Sequence, residues 1–216
     1  MKIFLNETSS PLFKGITEDE FEEMTAACIR ERGYSKNDFI FRMGNVTTEL
    51  GIVASGSVVI ENLDAWGNTG VLTKAGPGSI FAETYALCGT PMMVQAKAQE
   101  DSLILFLNLS FRENRNDKAP AWQPKLIKNL LDISARKNIT LSERMFCISH
   151  KTVRGRVLTF LSKQAGAAGC AAFSIPFDRQ QMADYLNVDR TALSKELGKM
   201  RDEGLITFRK NEFTIL

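Results

Sequence analysis

The sequence predicts an α+β fold: an N-terminal double-stranded β-helix (a jelly roll of antiparallel strands), one long helix, and a C-terminal pair of short helices with a β-hairpin. Three observations support this. Short β-rich runs separated by glycine turns fill the first half of the chain, a helix-length segment with heptad-like spacing follows a break at 114–124, and two capped segments flank Asn187 near the end. Frequent turns between short runs are typical of antiparallel rolls, whereas steps of three and four residues are typical of helices. We therefore predict a β-roll domain over 1–115, a helix over 116–148 and a helix-turn-helix domain over 149–216.

The composition is that of an ordinary globular protein. Hydrophobic residues make up 44% of the 216 residues and charged residues 24%, which is close to the usual proportion in such proteins. The chain has no apolar run of ~18 residues that would span a membrane, and its N-terminus lacks the apolar core and cleavage site of a signal peptide. We therefore expect a cytoplasmic protein that does not bind membranes.

Metal and catalytic chemistry have little support in the sequence. The four cysteines are widely spaced and His150 is the only histidine, whereas a tetrahedral zinc site needs about four Cys or His ligands in spaced pairs. An iron–sulfur cluster needs several thiolates. A cupin-like jelly-roll enzyme would need several histidines, and no Ser or Cys lies in an elbow-like setting. We therefore predict no metal, no cofactor, no catalytic residue and no enzymatic function.

The N-terminal half begins with a helix and continues as strands. Thr17 and Glu20 have the spacing of a capping box, and the helix that follows is predicted to bury Phe21 and Met24 and to end near Gly33. The β-rich runs after it are 38–41, 51–54, 57–60, 70–73 and 102–106. Short strands at this spacing favour a jelly roll or barrel.

The long helix carries a heptad-like stripe that is apolar at first and mixed later. The stripe consists of Leu126, Leu130, Ile133, Lys137, Thr140, Arg144 and Ile148. A helix with such a seam needs a partner, and a second copy of the chain is the simplest one. The alternative is a helix packed along its own domain. We predict a dimerisation helix.

The C-terminal segment has the local signals of a helix-turn-helix. Asp178 and Gln181 form a capping-box pair, Asn187 occupies the position that needs a left-handed backbone, and Asp189 caps the second helix. A strand before the first helix and alternating strands at 205–208 and 213–216 complete the prediction. The resulting architecture is a winged helix-turn-helix.

The second of these helices has two distinct faces. Leu193, Leu197 and Met200 share one face and are predicted to point inward. The outward residues are Arg190, Thr191, Ser194, Lys195 and Gly198. Basic and hydroxyl side chains of this kind contact base edges and phosphates in the major groove of double-stranded DNA. The alternative is a plain helical hairpin with a solvated basic face.

The charge distribution agrees with a nucleic-acid partner. Residues 151–216 contain 11 Lys or Arg and 7 Asp or Glu, a formal charge of +4, which leaves −2 for the rest of the chain because the total is +2. Arg209 and Lys210 lie between the two terminal strands, where a wing meets phosphate. This basic bias is compatible with DNA binding but does not establish it.

With these elements in this order, nearly the whole chain resembles the CRP/FNR family of bacterial transcription regulators. The segments that carry the likeness are GYSKNDFIFRMG at 33–44, GIVASGSV at 51–58, GPGSIFAE at 76–83 and LSKELGKMRDEGLI at 193–206. The resemblance implies a homodimer that binds a two-fold-related DNA site and recruits or blocks RNA polymerase. A ligand-binding or protein-interaction module with a degenerate helix-turn-helix is the alternative.

The resemblance also implies roles for individual residues. Arg179 occupies a position that the family uses for a phosphate contact, and Arg190 and Lys195 occupy positions used for guanine or phosphate. Thr191 replaces a glutamate that many relatives use on cytosine. A hydroxyl cannot reproduce a carboxylate that accepts from cytosine N4, so we do not expect the usual half-site.

An effector pocket is implied in the β-roll, with an unknown small molecule as its ligand. Relatives that bind cyclic AMP carry a Gly-Glu pair and then an Arg-Ser pair. The matching residues here are Ala82, Glu83, Met92 and Met93, with Leu141 and Ser142 at the nucleobase positions of the long helix. The phosphate-binding arginine is therefore missing, and the two methionines suit an apolar pocket or a packed core. The N-terminal cysteine cluster of the fumarate/nitrate branch is also missing, because no cysteine precedes Cys28.

Overall fold

The computed structural model describes residues 10–63, 69–113 and 119–216. The chain forms two compact units, Met1–Ala135 and Arg136–Leu216, and the division between them falls inside one long helix. The sequence instead separated 1–115, 116–148 and 149–216, and those boundaries stay a prediction. Residues 114–118 of the expected break at 114–124 lie outside the described residues.

The first unit is a roll of two four-stranded antiparallel sheets with helices at its ends. The elements of this unit are a short 3-10 helix Pro11–Phe13, α1 Glu18–Cys28, β1 Ile29–Tyr34, β2 Phe39–Phe41, β3 Glu49–Ser55, β4 Val58–Leu63, β5 Thr69–Ala75, β6 Ile80–Phe81, α2 Glu83–Cys88, β7 Gln95–Ala98, β8 Ser102–Asn108 and a 3-10 helix Ser110–Glu113. One sheet has the strand order β1-β8-β3-β6 and the other β2-β7-β4-β5. The predicted jelly-roll class is confirmed.

The predicted end of the first helix is wrong. The Thr17–Glu20 capping box is present, but α1 ends at Cys28 instead of near Gly33. The residues after it form β1, which pairs antiparallel with β8 from Ile29 opposite Leu107 onward. Main-chain pairing with a distant strand overrides the local helical pattern here, because the ladder satisfies the same N–H and C=O groups.

The roll interior is apolar and rich in aromatic rings. Phe41 and Phe106 are buried and pack edge to face with their ring centroids 5.7 Å apart. Gly51 lies under the Phe81 ring, and a Cβ there would approach the ring to 2.3 Å. Any larger residue at this position would therefore force the Phe81 ring to shift.

The second unit contains the end of the long helix and the helix-turn-helix. Its elements are the C-terminal part of α3 Trp122–Ile148, α4 Val153–Ala168, β9 Ala172–Ser174, α5 Arg179–Leu186, α6 Arg190–Asp202, β10 Ile206–Arg209 and β11 Glu212–Ile215. The last two strands and β9 form a three-stranded sheet in the order β10-β11-β9. The predicted winged helix-turn-helix is confirmed.

The predicted stripe on α3 is partly internal to the chain. Leu126 and Leu130 are buried in the core of the first unit, and Ile133 packs against that core. The large apolar side chains that remain exposed one position further along include Ile127 and Leu131. The first part of the predicted seam therefore stabilises the chain's own fold, in agreement with the alternative that the helix packs along its own domain.

Among the described residues, none of the helices combines the length and apolar character needed to cross a membrane. The same part of the chain contains no cluster of three or more His, Cys, Asp or Glu that could hold a metal ion.

Burial raises the pKa of the Cys28 thiol to about 11. This thiol therefore stays protonated near neutral pH and behaves as an apolar side chain.

Candidate nucleic-acid interface

The first helix of the C-terminal pair starts with the predicted capping box. The Asp178 carboxylate accepts from the Gln181 backbone N–H at 2.8 Å, and the Gln181 side-chain oxygen accepts from the Asp178 N–H at 2.9 Å. Met182, Ala183 and Leu186 are buried below it. The reciprocal cap satisfies two N-terminal donors that a helix leaves open, so the start of α5 is determined locally.

The turn between the two helices depends on Asn187. This residue has φ 51° and ψ 55°, a left-handed backbone conformation, and it ends α5. Asp189 then caps α6 by accepting from the Ala192 N–H at 2.9 Å. Asparagine tolerates the left-handed region better than other non-glycine residues, so the predicted turn chemistry matches the geometry.

The helix α6 is buried on one side and open on the other. Leu193, Leu197 and Met200 are fully buried in the core of the second unit. The exposed residues Arg190, Thr191, Ser194 and Lys195 form what we call the reading surface. A Cβ added at Gly198 would meet nothing within 4 Å, so the backbone there is accessible to an approaching molecule.

The wing is a tight hairpin with two exposed cations. Arg209 ends β10, and Lys210 follows it with φ 54°, so Lys210 holds a left-handed turn position normally given to glycine. Asn211 fastens the hairpin to the body of the unit, because its Nδ2 donates to Ser174 Oγ and to Ile175 O, both at 3.2 Å. The wing therefore presents its cations on a fixed backbone.

Arg179 is held by the wing. Its guanidinium lies 5.2 Å from the centroid of the Phe208 ring and 5.6 Å from that of Phe213. Its Nη2 donates to Lys210 O at 3.3 Å, and partial burial lowers the pKa of the group. A cleft of about 490 Å³ opens beside it, lined by Pro176, Phe177, Asp178, Arg179, Lys210 and Asn211. A phosphate contact from Arg179 stays a prediction, and its cation–π contacts with the wing were not foreseen.

Three further arginines hold the helices together; two of them received no role from the sequence, and Arg144 was assigned to the predicted stripe on α3 instead. Arg154 of α4 bridges to Glu196 at 2.6 Å and to Glu203 at 2.7 Å, and these contacts raise the pKa of Arg154 and lower that of Glu203. Arg144 and Arg156 instead donate to main-chain carbonyls of α5 and of the turn. These partners lie 30 to 49 residues away along the chain, so no short-range pattern could have revealed these contacts.

The residues of the expected effector pocket divide between the two units. In the roll, Ala82 precedes α2 as its N-cap with φ 62°, a left-handed conformation that favours glycine, and Glu83 is buried. Met92 is 3% exposed within the roll core, whereas Met93 is 77% exposed. Leu141 and Ser142 belong to the second unit. The shared pocket therefore stays a prediction.

The roll also contains a buried polar pair that the sequence did not indicate. Gln95 donates from Nε2 to Glu61 Oε1 at 2.8 Å, and both residues are 8% exposed. The two residues lie opposite each other on β7 and β4. A hydrogen-bonded carboxylate is tolerated at such depth, and its partner is visible only once the strands are paired.

Two family models match the chain. A cyclic nucleotide-binding domain matches residues 31–113, and a Crp-like helix-turn-helix domain matches residues 155–216. The first match covers most of the roll, and the second covers α4, the helix pair and the wing. Together they describe the same order of elements as the structure.

Known proteins are similar to this chain over most of its length. The "Cyclic AMP receptor protein" of Thermus thermophilus is 27% identical over 91% of this chain and 88% of its own length. The "Transcriptional activator protein anr" of Pseudomonas aeruginosa is 23% identical over 93% of this chain and 82% of its own length. Among solved structures, the Thermus thermophilus catabolite activator protein shares 25% identity with a TM-score of 0.56, covering 96% of this chain and 94% of that one. These names are those of receptors and transcription regulators, not of enzymes.

Proposed function

Since the chain belongs to the CRP/FNR family of transcription regulators, we propose that it binds a palindromic DNA site as a homodimer, under the control of a small molecule in the β-roll. At that site it recruits or blocks RNA polymerase. The observation that carries the proposal is the reading surface, where exposed polar and basic side chains lie on the opposite side of α6 from three fully buried ones.

The side chains of the reading surface contact different groups of the DNA. Arg190 begins α6 and donates to guanine, because a guanidinium can bind both O6 and N7. Lys195 contacts guanine or phosphate. Thr191 and Ser194 offer hydroxyl groups that accept or donate. The half-site therefore differs from that of relatives with a glutamate in place of Thr191.

The wing and the N-terminus of α5 contribute affinity for DNA that does not depend on the base sequence. Arg209 and Lys210 are exposed on the hairpin, and a cation at such a place neutralises a phosphate and releases counterions. Arg179 is the first residue of α5 and its side chain contacts the wing, so we propose that it orients the wing while its charge attracts the DNA backbone. These contacts place the protein on the duplex without reading bases.

Dimerisation is proposed through the exposed side of α3. A stripe with alternating steps of four and three residues, which we call the α3 stripe, runs along this helix: Ile127, Leu131, Ser134, Asn138, Leu141 and Met145. All of these residues except the half-buried Ser134 are exposed. Leu131, Leu141 and Met145 are each more than 60% exposed. Because this is the spacing of a two-stranded coiled coil, a second copy of the chain fits it, and a two-fold dimer matches a palindromic site.

The function is tested by selecting DNA from a random pool with the purified protein. We expect an inverted repeat whose half-sites lie about one helical turn apart. Binding to the selected duplex should weaken steeply as salt rises, because phosphate contacts release counterions. A pool that stays random after repeated rounds, together with equal affinity for all duplexes, would contradict sequence-specific regulation.

We expect the effector not to be cyclic AMP. The cyclic phosphate carries a full charge, and burying it without a cation costs several kcal/mol. Met92 and Met93 occupy the place of the phosphate arginine and its neighbour, and Met92 packs in the roll core. Isothermal titration should therefore give no binding at micromolar cyclic AMP. A dissociation constant in the low micromolar range would overturn this prediction, whereas binding of an apolar or aromatic metabolite would support it.

A further inference from the structure

The C-terminal end of α5 receives hydrogen bonds from an arginine on α3. Arg144 donates from Nε to Tyr185 O at 3.0 Å and from Nη2 to Asp184 O at 2.9 Å. Its guanidinium also lies 5.7 Å from the centroid of the Tyr185 ring. All three residues belong to the second unit, so the contact lies within one compact body.

The next two carbonyls receive hydrogen bonds from an arginine on α4. Arg156 donates from Nη1 to Leu186 O at 3.1 Å and to Asn187 O at 2.6 Å. Its Nε donates to His150 O at 2.9 Å, in the corner between α3 and α4. Two guanidinium groups therefore bind four consecutive carbonyls, those of residues 184–187, which we call the turn carbonyls.

These bonds matter because α5 is short. It has only 8 residues, and an isolated helix of about two turns is unstable in water. Its last carbonyls lack partners within the helix and carry the negative end of the dipole, which a cation complements. A planar guanidinium can donate to two carbonyls in fixed directions, whereas an ammonium is a single point charge. The two arginines bound to the turn carbonyls, which we call the clamp, therefore fix the position of the turn as well as neutralising its negative end.

The position of the turn sets the position of the reading surface. Asn187 is left-handed, Asp189 caps α6, and Arg190 follows at once. A small rotation at Asn187 would move the Arg190 and Thr191 side chains together, and polar recognition tolerates errors of only about 0.5 Å. Contacts that fix the position of the turn carbonyls therefore also fix where the Arg190 and Thr191 side chains meet the DNA bases.

We propose that Arg144 and Arg156 are positioning residues for sequence-specific DNA binding, and that they link the end of α3 and the α3–α4 corner to the helix-turn-helix turn. A shift of this part of α3 would be carried to the reading surface through the turn carbonyls. The proposal rests on the proposed function, since it concerns regulation of the same DNA-binding site.

The test uses the full-length variants Arg144→Lys and Arg156→Lys, which keep the charge but lose the planar fork. The selected duplex and a scrambled duplex are titrated at a temperature where circular dichroism shows each variant to be folded. We expect the ratio of the two affinities to fall about tenfold in each variant, with little change on scrambled DNA. Amide hydrogen exchange at Val188, whose N–H donates to Ala183 O, should accelerate.

The matched control is Arg136→Lys, because Arg136 is an exposed arginine on the same helix of the same unit. It should leave both readouts unchanged. If the lysine variants only melt earlier and keep the wild-type affinity ratio and Val188 protection, the arginines are structural and the proposal is wrong. If the wild-type protein selects no duplex, the proposed function fails instead, and the Val188 exchange still reports on the clamp.

Discussion

Replacing Leu131 and Met145 together with Glu should convert the protein from a dimer to a monomer at micromolar concentration. Both side chains are about two-thirds exposed on α3, so the isolated chain tolerates a carboxylate at either position. Across a two-fold axis, however, the pair of substitutions brings four like charges into an apolar seam, which costs several kcal/mol or more. Analytical ultracentrifugation of the variant and the wild type measures the change directly.

The same variant should lose affinity for the palindrome by about 100- to 10,000-fold, because the second half-site is no longer bound intramolecularly. Affinity for a single half-site should stay the same. The control is Thr140→Glu, which adds one carboxylate per chain at an exposed residue. Thr140 belongs to the heptad-like stripe first predicted from the sequence but lies outside the α3 stripe, so this variant should stay dimeric. A variant that remains dimeric, or a wild-type protein that sediments as a monomer, would show that α3 is not the dimer interface.

A glutamate at Leu130 should behave differently. Leu130 is 6% exposed in the core of the first unit, so the substitution buries a charge within one chain and destabilises the roll before it affects assembly. If Leu130→Glu has a lower melting temperature than the wild type and Leu131→Glu does not, one face of α3 is buried in the chain's own core and the other is not.

Replacing Arg190 with Ala should reduce discrimination between the selected and a scrambled duplex by about 5- to 150-fold, the effect of about 1–3 kcal/mol expected for an arginine–guanine pair. Arg190 is exposed at the first position of α6, so its removal should leave the fold intact. Fluorescence anisotropy on both duplexes, over a series of salt concentrations, gives affinity and salt slope together.

The matched control for Arg190 is Lys210→Ala. Alanine keeps the Cβ at φ 54°, so the backbone strain of the wing does not change and only the cation is lost. We expect both duplexes to weaken alike and the salt slope to fall by about one unit. Equal losses on the two duplexes for Arg190→Ala would assign Arg190 to phosphate and leave base reading to other residues.

Local sequence chemistry determined the features whose partners lie within a few residues. The capping boxes at Thr17 and Asp178, and the left-handed Asn187, depend on side chains that bond their own neighbouring backbone. The buried face of α6 follows from the 3.6-residue repeat alone. These elements were predicted correctly, because no distant contact competes with them.

Tertiary structure decided which side of α3 is buried. Leu126 and Leu130 form one apolar stripe and Ile127 and Leu131 another, shifted by a single residue, and helical periodicity admits both. Only the roll core against α3 selects the first for burial and leaves the second exposed. The end of α1 was decided in the same way, by the pairing of β1 with β8.

Tertiary structure also decided the roles of the arginines. From the sequence, Arg144 was assigned to the heptad-like stripe, Arg179 to a phosphate contact and Arg190 to base reading, and Arg156 received no role. Folding brings two of them onto the turn carbonyls and places Arg179 beside the Phe208 ring, while Arg190 stays exposed. A guanidinium can bind a carbonyl, an aromatic face or a phosphate. Which of these partners an arginine binds depends on the group that folding brings within its reach.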